Sequence, residues 1–430
     1  VLIERGIPTK FLWEINDFDP MDGLPVYLDQ EKFTPYLGKP LYMVPSPDGK
    51  AKNFAEFYGE EFRGVVEGAG FAPEFYRASE LYLSGKMNEV IKIALEKAAL
   101  IRTIYKEVSG AVREDDWLPL NVICEGCGKV STTKATSFDG EKVTYHCRNL
   151  EWTNGCGYEG AVSPYNGKSK LPWKVEWPAK WKVVGVTVEG AGKDHSTRGG
   201  SRDVAKRISK EVFDYEPPFD MPYEFFLVGG KKMSSSKGAG SSAKEIFDLL
   251  PPHIFRLALL GKDINQAINF DPTGDTVPVL YDTYDRLAEV YFSSEKNDQS
   301  RLFELIHAPS ERKSLKNRFM PRFSLVAFLA QMPHMQIEEE VAKLKGGDLT
   351  AEDKEEIALR VKYAKFWLSQ YAPEDFKFEL QEGAVPESAK HFNDLQKEAL
   401  KKLTTYLEGV GTLDGQLLHT ELHEIRKSLN

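Results

Sequence analysis

The chain has 430 residues, with 56 Lys and Arg against 65 Asp and Glu for a formal charge of −9. Its 41% hydrophobic and 12% aromatic content excludes a disordered chain and, at roughly 100 to 200 residues per domain, the length suits two to four domains with cores of their own. The acidic balance argues against sequence-blind coating of nucleic acid and leaves room for a local basic face. Neither a run of 18 apolar residues nor a charged-then-apolar leader at Val1 is visible, so the expectation is no membrane span, no secretory signal and a cytoplasmic location.

Taken in chain order, Lys10 to Ile15 reads as a strand, with Asp17 and Asp19 in the turn that follows it. Asn88 to Val108 reads as a helical run. All four cysteines then fall in one stretch: Cys124 and Cys127 form a C-x2-C knuckle, and Cys147 and Cys156 form a wider C-x8-C pair. Val122-Ile123 and Val143-Thr144-Tyr145 lead strands into the two halves, and Gly126 and Gly128 let the backbone turn around a metal. The pattern reads as a structural zinc ribbon. Two disulfides are the alternative, which the lack of a secretory signal disfavours, and His146 offers a substitute ligand for the looser half. A closed four-ligand site keeps no position open for substrate, so the zinc is read as scaffold.

Val183 to Val188 is a β-branched run read as a strand, with the turn Gly190-Ala191-Gly192-Lys193-Asp194-His195 directly after it. A helix-like segment runs from about Ser201 to Phe213. Glycines at a strand's carboxyl end allow close approach of a ligand and an acidic residue there can accept ribose hydroxyls, although a tight turn alone explains the same residues. An apolar stretch, Phe225 to Val228, precedes Lys231-Lys232-Met233-Ser234-Ser235-Ser236-Lys237-Gly238, and Ser241 or Ser242 can cap a helix over Ala243 to Leu250. Lysines, hydroxyls and flanking glycines between strand and helix suit a polyphosphate; a plain surface linker is the rival reading. Beyond this loop, apolar positions recur at helical spacing in Ile246 to Leu260, Leu325 to Met332 and Ile357 to Tyr371.

Together these residues resemble class I aminoacyl-tRNA synthetases. Lys232-Met233-Ser234-Ser235-Ser236 is a close variant of the K-M-S-K-S signature, and the turn at Gly192 to His195 is similar to the adenosine site of that Rossmann fold. The order of further motifs resembles the class I type of lysyl-tRNA synthetase: Asn16 to Asp19, Ala78 to Tyr82, the cysteine insert, Trp173 to Pro178, Tyr223 to Phe225, Tyr281 to Asp285 and Tyr371 to Asp375.

The resemblance implies an α/β Rossmann-type parallel sheet with an inserted four-cysteine zinc ribbon, followed by an all-α C-terminal region. It implies activation of L-lysine with ATP and transfer to tRNA(Lys), with Mg²⁺ assisting. Lys232 would be the principal catalytic charge, with Ser234 and Ser236 assisting and Ser235 and Lys237 also at the phosphates. Gly192 and Asp194 would hold the adenosine. Trp173, His195 and Tyr223 would form the lysine pocket, where an aromatic wall meets the aliphatic stem and attracts the ammonium. Asp17 and Asp19 are read either as facing a cationic substrate or Mg²⁺, or as turn formers. The basic stretch Arg312, Lys313, Lys316, Arg318 and Arg322 is read either as contacts to the tRNA backbone or as a solvated helix face.

Two departures stand out. The second lysine of the signature is Ser235 here, with Lys237 close by. The family's H-x-G-H or H-x-G-N signature, which holds the ATP phosphates, has no counterpart in this sequence, so the expectation is a chain shortened at its amino end, and at its carboxyl end as well, whose own activity is open. The expected organisation is 1–118 as the first part of the catalytic domain, 119–165 as the ribbon, 166–245 as the second part with the phosphate loop, 246–330 as a helical stem-contact region and 331–430 as a helical anticodon-binding domain. The alternatives are another class I synthetase, of the Glu, Cys or Arg type, or a non-catalytic RNA-binding fragment; oligomeric state is not legible.

Overall fold

A computed structural model describes residues 2, 5–232, 242–293, 296–379, 383 and 385–429, with only the backbone at Lys232. The chain divides into two compact units, residues 1–330 with 336–376, and residues 331–335 with 377–430.

The first unit is mixed α/β, with three parallel strand pairs among the described residues. β1 (Leu12–Ile15) runs beside β2 (Glu74–Arg77), joined by a crossover that contains helix α1 (Phe54–Gly68). Asn53 caps α1 by accepting from the Glu56 N–H at 2.8 Å, one of the orphan donors every helix start presents. β2 passes straight into α2 (Ala78–Leu83), followed by α3 (Asn88–Glu96) and α4 (Ala98–Ser109). The expected single run over Asn88 to Val108 is thus two helices, broken at Lys97 where φ is −100° and ψ is 22°. Phe18, Tyr82, Ile91, Ile101, Leu171 and Val175 are among the side chains buried in this core.

Residues 121–170 form small antiparallel sheets. β3 (Asn121–Val122) pairs with β7 (Ser169–Lys170), and β4 (Thr133–Phe138), β5 (Val143–Cys147) and β6 (Glu159–Val162) lie side by side. Helix α5 (Trp173–Val184) follows, then β8 (Val188–Gly192), α6 (Ser201–Arg207), which continues as a π-turn over Ile208–Val212, and β9 (Phe219–Tyr223), parallel to β8. The strand read at Val183 to Val188 is therefore displaced. The helix holds through Val184, ends on Gly185 at φ 80°, and the strand begins at Val188. Only glycine adopts that left-handed cap without cost, and the β-branched run Val183-Val184 on its helical side misled the sequence reading.

β10 (Phe226–Val228) pairs in parallel with β12 (Ile268–Phe270) and antiparallel with β11 (Lys231–Lys232). Helix α7 (Ala243–Leu249) starts in a capping box between Ser242 and Glu245. It packs on α1 so closely that a side chain at Gly68 would meet the Phe247 ring at 2.7 Å. Pro251 separates α7 from α8 (Pro252–Leu260). The remainder of the unit is helical: α9 (Thr276–Phe292), α10 (Asp298–Ile306), α11 (Phe323–Leu329), α12 (Ile337–Lys345) and α13 (Ala351–Gln370). Their core gathers Tyr281, Tyr284, Phe303, Phe323 and Trp367.

The second unit contains a helix pair, α14 (Asp394–Gly409) and α15 (Gly415–Ser428), with Lys402 Nζ donating to Ser428 Oγ at 2.8 Å. Among the described residues no helix is long and apolar enough to cross a membrane.

Candidate functional site at the strand ends

The turns that leave β1 and β8 lie at carboxyl ends of parallel strands, where open α/β sheets bind ligands. β8 ends in Gly192, which is in register with Tyr223 of β9. The turn beyond it is closed by the His195 N–H donating to the Gly192 carbonyl at 2.9 Å. Gly190 lies against Tyr223, where a Cβ would stand 3.4 Å from the ring. Asp194 and His195 are adjacent and partly open, with His195 Nε2 3.9 Å from Asp194 Oδ1.

Helix α5 places an aromatic face beside this turn. Trp173 stacks on Trp177 at 5.2 Å between ring centres, and His195 lies 5.1 Å from Trp173 and 6.0 Å from Trp177. Trp173 and Tyr223 remain 40% and 49% exposed, unlike core aromatics. The floor is rigid. Trp177 and Trp181 both donate indole N–H groups to Glu189, whose carboxylate also receives the fully buried Arg202. The structure thus brings Trp173, His195, Gly192, Asp194 and Tyr223 together.

Asp17 and Asp19, two residues apart, have different environments. Asp17 is buried and accepts from both the backbone N–H and the hydroxyl of Ser79 at the start of α2, at 2.7 and 2.5 Å. It is committed to capping that helix. Asp19 is partly open, and accepts from Asn16 Nδ2 at 2.5 Å and from Lys170 Nζ at 2.9 Å.

Asp19 leads into a buried charge network that the sequence reading missed. Lys170 also reaches Glu176 at 2.5 Å, Glu176 accepts from Tyr82 Oη at 2.7 Å, and Lys180 lies 3.4 Å from Glu176 and donates to Glu14. Burial works to raise the Glu176 carboxyl, but the Lys170 and Lys180 ammonium groups more than offset it and hold the group at about 2. Burial pushes Glu14 upward, partly countered by Lys180. The one visible signal was the spacing of Glu176 and Lys180, four apart on a tryptophan-rich helix.

Lys232 lies in β11, where its backbone pairs with Leu227. Its side chain and residues 233–241, among them Ser234, Ser235, Ser236 and Lys237, lie outside the described residues.

The four cysteine sulfurs lie within 4.8 Å of one another. Cys124 and Cys156 are 3.5 Å apart and Cys127 and Cys147 are 3.8 Å apart, against about 2.05 Å for a disulfide and about 3.8 Å for the edge of a tetrahedron with Zn–S bonds near 2.3 Å. The donor set fits zinc. The Cys147 sulfur also receives the Cys156 N–H at 3.3 Å, a contact that orients a thiolate. Without a cation, burial pushes the Cys124 thiol up to about 12. His146, opposite Lys134 in the sheet, is not part of the cluster.

The five basic residues read as an RNA face are mostly engaged. Arg312 donates to the Glu304 and His307 carbonyls, Lys316 pairs with Glu352, Arg318 with buried Glu356, and Arg322 with Asp282. Lys313 stays exposed.

Residues 1–309 match the model of the family described as tRNA synthetases class I (K). The lysine–tRNA ligase of Methanosarcina barkeri (strain Fusaro) is 34% identical over 97% of this chain and 76% of its own length. Those of Methanocaldococcus jannaschii and Archaeoglobus fulgidus are 32% and 30% identical, each over 100% of this chain and 82% of its own. The arginyl-tRNA synthetase structure of Thermus thermophilus aligns at a TM-score of 0.25 and 10% identity, over 85% of this chain and 60% of that one, too slight a likeness to carry an argument.

Proposed function

The chain belongs to the class I tRNA synthetases of the lysine type, and from that premise we infer that it is a lysine–tRNA ligase. It activates L-lysine with ATP to lysyl-adenylate, transfers the lysyl group to tRNA(Lys), and releases AMP and pyrophosphate. The observation that carries this reading is the similarity to lysine–tRNA ligases along 97% or more of the chain. We read the three parallel strand pairs as parts of a Rossmann-type sheet, and keep 1–118 and 166–245 as the catalytic halves, 119–165 as the ribbon, and 246–330 and 331–430 as the helical stem-contact and anticodon-binding regions.

In this reading the lysine carboxylate attacks the α-phosphorus of ATP in line, and pyrophosphate leaves. No protein nucleophile is required; the work is positioning and charge stabilisation. Gly192 and Asp194 take the adenosine ribose, and Trp173, His195 and Tyr223 hold the lysine stem. Lys232, Ser234 and Ser236, with Ser235 and Lys237, offset charge on the departing pyrophosphate, and Mg²⁺ would supply further positive charge there. Asp19 faces the substrate, whereas Asp17 braces the turn through Ser79. Cys124, Cys127, Cys147 and Cys156 hold zinc as a scaffold. Lys313 and its basic neighbours are the proposed contacts to the tRNA backbone.

ATP–pyrophosphate exchange across an amino-acid panel tests the assignment. Exchange that depends on lysine is the expected result; exchange driven by glutamate, cysteine or arginine, or by none of the panel, overturns it.

A further inference from the structure

We propose that the charged ring beneath the aromatic wall, Glu14, Asp19, Lys170, Glu176 and Lys180, selects a cationic side chain by carrying one unbalanced negative charge; this rests on the lysine reading above.

The ring closes on itself. Lys180 donates to Glu14, stands 3.4 Å from Glu176 and reaches Asn16 Oδ1 at 3.3 Å. Asn16 Nδ2 donates to Asp19 at 2.5 Å, Lys170 joins Asp19 to Glu176, and Tyr82 completes Glu176. Asn16 and Tyr82 bring no charge. Three carboxylates thus face two ammonium groups, and among the described residues no further cation joins them. Buried arrays are ordinarily neutral, because unpaired charge in a poorly polarisable interior is costly.

Position says where the surplus is felt. The side chains of Glu176, Lys170 and Lys180 are 1%, 7% and 8% exposed, while Asp19, in the turn beyond β1, is the most open member at 38%. Lys170 ends β7 three residues before Trp173, and Glu176 lies on the same helix, one turn after Trp173. The ring and the aromatic wall are therefore built on the same short segment. A substrate ammonium at Asp19 would bring the array to neutrality; a neutral side chain of equal length would leave it unbalanced. Glu14, Lys170, Glu176 and Lys180 are positioning and specificity residues in this account.

The test is calorimetric titration of the chain with L-lysine and L-norleucine, which has the same carbon chain without the ammonium. Glu14→Gln, Glu176→Gln and Asp19→Asn each remove one negative charge with little change of shape. The dissociation constant for lysine should rise about tenfold in Glu14→Gln and Glu176→Gln, as expected for a unit charge acting over several ångströms in a partly buried site, and further in Asp19→Asn. Norleucine binding, read by displacement of lysine, should stay within about twofold. Glu14→Gln is the diagnostic variant, since Glu14 joins the ring through its pair with Lys180 rather than at Asp19; it also carries the test if Glu176→Gln fails to fold. Equal weakening of both ligands would mean a structural role and overturn the proposal, as would unchanged lysine affinity in Glu14→Gln. If the unmodified chain shows no preference for lysine over other amino acids, the lysine reading itself falls, and this inference with it.

Discussion

Two buried charge clusters of similar size in the first unit differ in arithmetic. In the helical region Arg360 grips Asp285 with both terminal nitrogens, takes Glu356 through Nε at 2.7 Å, and donates to the Pro321 carbonyl at 2.8 Å. Arg318 adds a second cation on Glu356 at 3.2 Å, so two carboxylates meet two guanidinium groups. That cluster is neutral, planar in its pairings, and its guanidinium lies over the Tyr281 ring at 5.2 Å. The ring around Glu176 is built instead from lysines, which are point charges that bind without fixed geometry, and it is one cation short. Neutral bidentate pairing holds helices together; an unbalanced array next to an open aromatic wall is prepared for something else. The cysteine cluster is the limiting case, in which the balancing charge would come from a metal.

The largest expected effect tests that limiting case. Cys147→Ser or chelation should release one zinc per chain by elemental analysis and forfeit metal binding energy on the order of 10 kcal/mol. Amide exchange should accelerate over residues 121–162 and remain slow at Arg360. Retained zinc in the variant would show that the four thiolates do not act as one set. Next comes Arg360→Met, which strands Asp285 and leaves Glu356 to Arg318 alone. It should cost about 3 to 5 kcal/mol in urea unfolding, with lysine preference over norleucine unchanged. A shift in that preference would erase the distinction between the two clusters.

What could be read in advance follows the same division. The cysteine knuckles and the Ser242 cap are patterns within a few residues, so spacing alone revealed them, while the serine-rich loop lies outside the described residues. The ring was hidden because its contacts join Glu14 to Lys180 and Asp19 to Lys170, more than 100 residues apart in sequence. Asp17 and Asp19 look alike as text, yet one caps a helix 62 residues away and the other stays partly open on Lys170. The basic stretch read as an RNA face failed to show its partners for the same reason: Glu352 and Glu356, 36 and 38 residues further on, sit on Lys316 and Arg318. Gly185 is a local signal that was passed over, a helix stop between two β-branched pairs.

The smallest effect concerns acid, and its sign follows from Glu176. Lys170 and Lys180 overcome its burial and hold the folded carboxyl at about 2, below its ordinary 4.5. A depressed folded value means that the group stabilises the fold above the unfolded value and that this contribution drains away as pH falls from about 4.5 toward 2. By pH 3 the loss amounts to about 2 kcal/mol from this one group. Glu176→Gln is less stable at neutral pH, because two ammonium groups lose their shared partner, but it has no carboxyl to titrate. Its unfolding free energy should therefore fall less steeply between pH 5 and 3 than that of the unmodified chain, by that same amount. Parallel curves would mean that Glu176 takes up its proton near the ordinary value. The ring would then stand neutral in mild acid, and its deficit of one cation would vanish over the range in which lysine preference should persist.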